Sequence, residues 1–306
     1  MKAITYPGYG EPSVLELSDI TDRPVGRGEI LVRLVAASVN PVDWKTTAGY
    51  LADYAPVEFP AVAGSDVSGT VVAVGDDVTE FRVGDDVIGS VAPFIGAFSE
   101  LAPVAAAVAA AKPDRLTFAE AACLPTAGLT ALTAIRALAP EPGDTVVVNG
   151  AAGGIGTFAT QLARSAGARV VGICSPAGAD HVRRLGAEPV AYGPGLTSRL
   201  PDLDPARTSL VDTHGGEALA DLVAVLGDPA RAVSVAAPEI GTHGGRYLVV
   251  APNGGDLAEL AGAAADGRVQ VVVARTFPIR DTRDAYEHLR AGGVHGKVVL
   301  DASTGW

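Results

Sequence analysis

The stretch best suited to chemistry is Asn149-Gly150-Ala151-Ala152-Gly153-Gly154-Ile155-Gly156, where Ala151, Gly153 and Gly156 keep the spacing A-x-G-x-x-G. It follows the apolar run Thr145 to Asn149 and opens a helical pattern over 156–166. A tight turn between a buried strand and a helix lets backbone N–H groups approach an anion, and the helix end adds about half a positive charge there. At such a turn Gly153 permits the approach, while Gly156 lets the helix pack closely on the strand. A glycine-rich string alone also describes a plain strand-to-helix connection. Its place inside a βαβ unit points instead to a dinucleotide, with the pyrophosphate over Ala152, Gly153, Gly154, Ile155 and Gly156.

Which dinucleotide is read from the end of the next strand, where an NAD-selective site places Asp or Glu on the ribose hydroxyls. This chain has Cys174-Ser175 there, with His181, Arg183 and Arg184 following on a helix. No carboxylate repels a 2′-phosphate and Ser175 can donate to one, so the residues favour NADP(H) over NAD(H). The other reading is that Ser175 only caps the loop and the arginines form a solvated helix face. Metal chemistry finds little support: His181, His214, His243, His288 and His295 lack ligand spacing, and Cys123 and Cys174 cannot make a four-thiolate zinc site.

Positioning such a turn requires alternating strands and helices, and the second half of the chain supplies them. Strands are expected at 145–149, 169–174, 209–212, 232–235 and 246–250, with helices at 156–166 and 179–185, which implies a doubly wound parallel sheet. Before about residue 115 short β-type runs at 30–35, 69–75 and 83–89 suggest a closed, barrel-like β module. A helical stretch over 117–139, interrupted at Pro125, marks the boundary between the two. The tail carries a helix at 282–291 and a strand, Gly296 to Leu300, that returns to the first module. The domains are therefore expected at 1–118, 119–274 and 275–306, the last being the return segment.

With 306 residues the chain exceeds one ordinary core, and 48% hydrophobic with 19% charged residues describes a folded rather than a disordered chain. A net charge of -12, carried against 19 Arg and four Lys with no basic run, disfavours nucleic acid. The start, Met1 to Gly8, has no export signal, and no apolar run of about 18 residues is free of Gly, Pro or charge. With only two cysteines, a cytoplasmic protein without membrane contact is expected.

Several ordered stretches go further: Ser38-Val39-Asn40-Pro41-Val42-Asp43-Trp44-Lys45, Phe59 to Gly69, Phe81 to Val87, Leu124 to Ala131, Gly150 to Gly156, Leu185-Gly186-Ala187 and Gly296-Lys297-Val298-Val299-Leu300. With these the chain resembles the zinc-independent quinone oxidoreductase (zeta-crystallin-like) branch of the medium-chain dehydrogenase/reductase superfamily over nearly its whole length. The resemblance implies an α/β protein with a GroES-like β-barrel catalytic domain and a Rossmann-type doubly wound parallel sheet, NADPH lying between them. It places Asn40 and Asp43 beside the nicotinamide ribose and substrate, and puts Thr130 and Lys297 with the cofactor site. It also sets Tyr50 in a loop where relatives carry a proton-donating tyrosine, although an aromatic pocket wall is the other reading. Zinc-dependent relatives use Cys where this chain has Asn40 and His-Glu where it has Ser65-Asp66.

Departures from the pattern are the missing Lys after Ser175, His214-Gly215-Gly216 for a V-G-G string, and Phe94 to Glu100 for a G-G-x-x-E string. The implied activity is NADPH-dependent hydride transfer to a small apolar quinone or enone by a homodimer paired through Tyr247 to Val250. The alternatives are an enoyl reductase of a polyketide-type secondary metabolite and a non-catalytic NADPH-binding sensor.

Overall fold

The structure is a computed structural model and describes residues 1–91 and 96–306. Phe94 and Ile95 of the departing string lie outside the described residues, while Glu100 accepts the Lys2 backbone N–H at 2.7 Å.

The first module is built on β3 (Glu29–Val39), an 11-residue strand whose residues are nearly all buried. It pairs antiparallel with β5 (Asp66–Val74) and β7 (Leu101–Ala105), and β5 continues through β6 (Asp86–Ser90) to β8 (Ala110–Ala111). On the same side as β7, over residues 36–39, β3 pairs antiparallel with β16 (Lys297–Asp301), itself parallel to β15 (Val273–Pro278), so the tail completes this sheet of seven strands. A small sheet of β2 (Glu16–Asp19), β1 (Lys2–Tyr6) and β4 (Ala61–Val62) flanks it. Alternation along β3 sends Ile30, Val32 and Leu34 into one apolar core with Tyr6, Phe98 and Tyr286.

The second module is a six-stranded, wholly parallel sheet in the order β11 (Glu188–Ala191), β10 (Arg169–Cys174), β9 (Thr145–Asn149), β12 (Thr208–Asp212), β13 (Ala232–Ser234), β14 (Arg246–Tyr247). The reversal of order on either side of β9 creates a crevice at its carboxyl end, where α/β sheets bind ligands. Separate apolar clusters cover the two faces, as a doubly wound sheet requires.

Helices α1 (Pro41–Thr47), α2 (Phe118–Ala121), α3 (Leu129–Leu138), α4 (Gly154–Ser165), α5 (Ala179–Arg184), α6 (Leu219–Ala224), α7 (Gly254–Ala265) and α8 (Thr282–Arg290) complete the described elements. Pro125 lacks a donor, and the stretch between α2 and α3 loosens there into a π-type turn over Leu124–Gly128. The whole span Phe118–Leu138 is 21 residues and apolar enough to cross a membrane, yet 72% of its hydrophobic window is buried as the helix joining the two modules.

Two expectations need correction. The strand expected over 246–250 stops at Tyr247. Its neighbour β13 ends at Ser234, whose side chain takes the Ala236 and Ala237 amides and closes the ladder. The strand expected from Val83 begins at Asp86, because Gly84 sits at φ 96° in a turn closed by the Asp85 N–H on Arg82 O. Helix α7 lies in a stretch for which the sequence alone named no element.

Candidate active site and coenzyme cleft

The glycine turn lies at the carboxyl end of β9 and the amino end of α4. Gly153 is the N-cap, in extended backbone, and brings no side-chain cap, so the first-turn amides of α4 face outward without intrahelical acceptors. The two flanking glycines do different work. A Cβ at Gly156 would stand 2.1 Å from Gly150 O and 2.7 Å from Ala151 Cα, so this glycine is needed for the fold. A Cβ at Gly153 would meet no protein atom nearer than Gly150 O at 3.4 Å, leaving a cradle that the protein itself does not fill. That cradle at a helix N-terminus fits the pyrophosphate of a dinucleotide.

At the carboxyl end of β10, Ser175 accepts the Gly178 N–H at 3.3 Å and caps the short turn that follows. No carboxylate stands at Cys174 or Ser175. Arg183 is exposed and paired with Asp180 at 2.6 Å. His181 does not face this loop: it is buried, 2.9 Å from Thr157 Oγ1, with its ring stacked on His295. Desolvation holds its pKa below the ordinary imidazole value, with the neighbouring His295 and Arg184 adding to the effect. His214, in the altered H-G-G string, packs on Tyr192 with ring centroids 5.2 Å apart.

Below the turn, a buried polar cluster joins both modules. Asn40 follows β3 and caps α1, and its backbone N–H donates to Asp43 Oδ2 at 2.7 Å. Ser65 donates to Asp43 Oδ1 at 2.7 Å, and Asn40 Nδ2 donates to Asp66 Oδ2 at 2.8 Å and to Ser65 Oγ at 3.3 Å. Ser38 and Thr126 donate to the two oxygens of Asp66 at 2.5 and 2.6 Å. Lys297 donates to Asn40 Oδ1 at 2.5 Å and Val39 O at 3.0 Å. Ser38, Asn40, Asp43, Ser65, Asp66 and Lys297 are each at most 5% exposed.

The structure therefore brings Asn40, Asp43 and Lys297 together, with Gly154 against the Lys297 stem, while Thr130 and Tyr50 make no hydrogen bond to these three residues. Thr130 is buried on α3, its hydroxyl spent on Thr126 O at 2.6 Å. Tyr50 is 67% exposed and packs edge-on against Trp44, and among the described residues no hydrogen bond orients its hydroxyl. Sequence reasoning missed Ser38 and the convergence of Ser65, Asp66 and Thr126. The available signal was the polar interruption of apolar runs, Ser38 before Val39 and Ser65-Asp66 before Val67.

Burial raises the Asp43 pKa to about 7, opposed by the Ser65 hydrogen bond and reinforced by the nearby Asp66. Burial also raises the pKa of Asp66, against the pull of Lys297. A carboxyl whose folded pKa lies above its unfolded value binds its proton more tightly when folded. Its contribution to stability is thus complete below the unfolded value of 3.8 and lost as pH rises through about 7. Melting curves between those limits should show Asp43→Asn losing less stability with rising pH than the parent. Parallel curves would place the Asp43 titration elsewhere.

Comparison with known proteins places this architecture. Residues 26–133 match the family described as alcohol dehydrogenase GroES-like domain, and residues 177–300 the family described as zinc-binding dehydrogenase. The chloroplastic quinone-oxidoreductase QR1 of Triphysaria versicolor is 33% identical over 62% of this chain, an alignment that spans 60% of the relative's own length. The 2-methylene-furan-3-one reductase of Solanum lycopersicum is 33% identical over 98% of this chain and 79% of the relative. The chain belongs to the quinone oxidoreductase branch of the medium-chain dehydrogenase/reductase superfamily. Among solved members, the quinone oxidoreductase of Coxiella burnetii superposes with a TM-score of 0.88 at 29% identity, covering 98% of this chain and 99% of that one. A mycobacterial protein solved as a complex with NADPH gives 0.83 at 28% identity, covering 98% and 100%.

The zinc in one family description does not fit the donors present. Among the described residues no three His, Cys, Asp or Glu groups converge on a metal position. Asn40, Ser65 and Asp66 are hydrogen-bonded to one another, and an ammonium already stands on the Asn40 oxygen.

Proposed function

We propose that this member of the superfamily is an NADPH-dependent reductase of quinones or α,β-unsaturated carbonyls. The observation carrying this reading is the cradle at Gly153, open at the start of α4 and set directly above a buried barrel cluster that Lys297 connects to it. When bound, the reduced nicotinamide supplies the hydride.

The chain's own groups then have separable parts. First-turn amides of α4 bind the pyrophosphate, and Gly153 keeps their approach open. Ser175, with no carboxylate beside it, accommodates a 2′-phosphate, which supports NADPH over NADH, as does the mycobacterial relative solved with NADPH. The Asn40, Asp43, Ser65 and Asp66 cluster makes a rigid floor for the catalytic side of the cleft. Tyr50, lying on Trp44, is proposed as an aromatic wall at the mouth of the cleft rather than the proton donor. A homodimer paired along β14, the edge of the six-stranded sheet, and a cytoplasmic setting complete the proposal.

The experiment is a fluorescence titration with NADPH and NADH, followed by steady-state assays with 9,10-phenanthrenequinone and a 2-alkenal. NADPH should bind at least about tenfold more tightly than NADH and be consumed with one acceptor or both, and Tyr50→Phe should keep kcat within about threefold of the parent. Tight NADPH binding without turnover on any acceptor would instead make the protein a coenzyme-holding sensor.

A further inference from the structure

Lys297 reaches the buried cluster by an unusual route. Gly296, just before it, donates its N–H to Ala152 O at 3.0 Å, which ties the return segment to the glycine turn. The Lys297 stem then runs beneath that turn: a Cβ on Gly154 would stand 2.7 Å from Lys297 Cδ. Beyond it the ammonium leaves the turn and ends inside the barrel, on Val39 O and Asn40 Oδ1. An ammonium can only donate and a carboxylate can only accept. Standing on opposite sides of Asn40, Lys297 and Asp66 dictate how the amide lies, with Oδ1 toward Lys297 and Nδ2 toward Asp66. Without the ammonium, only the Asp66 carboxylate still selects this orientation, and Asn40 Oδ1 is left buried without a donor.

We propose that Lys297 is a positioning residue with two parts: its methylene stem supports the glycine turn from below, while its ammonium locks the Asn40 amide and balances Asp43 and Asp66, taking no coenzyme phosphate. The proposal deepens the reading of the protein as an NADPH-dependent reductase and rests on it for its kinetic consequences. Its charge also holds down the carboxyls of Asp43 and Asp66, so removing it should raise both.

Lys297→Met keeps most of the stem and removes the charge. The expected result is an NADPH Kd within about threefold of the parent, kcat at least roughly tenfold lower, and the acid limb of the kcat profile moved to higher pH. In an Asn40→Ala background the same change should cost little more, because the residue it acts through is already gone. The Asn40 side-chain N–H resonances should shift in Lys297→Met and return toward their parent positions in Lys297→Arg. A loss of NADPH affinity of about tenfold or more with NADH binding unchanged would make the ammonium a phosphate ligand and overturn the proposal. An unchanged kcat would overturn it equally. If Lys297→Met does not fold, Lys297→Gln, which also removes the charge, is read by the same division between Kd and kcat. A parent that binds NADPH but reduces no acceptor defeats the reductase reading alone, since the Asn40 resonances and the Lys297→Met titration still decide the role of Lys297.

Discussion

Gly153→Val should abolish coenzyme binding while leaving the fold intact, with the NADPH Kd rising by at least about a hundredfold and folding stability changing by no more than about 1 kcal/mol. Gly153 has extended backbone (φ -75°, ψ 177°), which a β-branched residue adopts without strain. An added Cβ would meet only Gly150 O, at 3.4 Å, so the substitution acts chiefly on the space over the α4 amides. Gly156→Val, three residues on, should instead destabilise the fold, since its Cβ would collide with the Gly150 backbone and force α4 off β9. Thermal melts with fluorescence titration of both variants separate these outcomes. Parent-like NADPH affinity in Gly153→Val would remove the turn from the coenzyme site.

Asp66→Ala should be among the most damaging single changes to stability. The carboxylate accepts from Ser38 near the end of β3, from Asn40 at the start of α1 and from Thr126 on the segment that joins the two modules. Truncation leaves these donors without their acceptor and Lys297 without half of its countercharge. Breaking a buried charged group out of such a network costs about 3–5 kcal/mol. Asp66→Asn should cost less, because one carboxamide oxygen can still accept. Chemical denaturation measures both, and an Asp66→Ala loss under about 1 kcal/mol would mean that the cluster does not hold the barrel to the joining helix.

Much of this was legible in the residues. The continuous apolar runs of β9 and β10 can only be buried on both faces, and they stand where the alternation predicts. The glycine turn was legible because its role depends on backbone alone. Helix α7 was hidden by Gly254-Gly255, which reads as loop. Its signals were the Asn253 cap, whose side chain takes the Asp256 N–H at 2.8 Å, and the inward spacing of Leu257, Leu260, Ala261 and Ala264. The direction of the Lys297 ammonium was not legible, since it depends on how closely β16 runs beneath the turn. Nor was the exposure of Tyr50: the loop was marked by resemblance, but its packing on Trp44 is a tertiary fact. Ser38, Ser65, Asp66 and Thr126 are too short in side chain and too scattered in sequence to announce a common centre.

The strand β16 has a consequence for how the molecule comes to exist. It is the neighbour of β3 on one side, and the Lys297 contact with Val39 closes a loop of 258 positions. On a translating ribosome the early residues therefore emerge with β7 covering this flank of β3 only over residues 29–33, and its end over residues 36–39 stays bare, a short apolar edge of the kind that recruits foreign strands. Until the last segment arrives, that flank is shielded only by chaperones or by speed. The nucleotide-binding sheet, whose six strands lie wholly between residues 145 and 247, can close before then and wait for its companion.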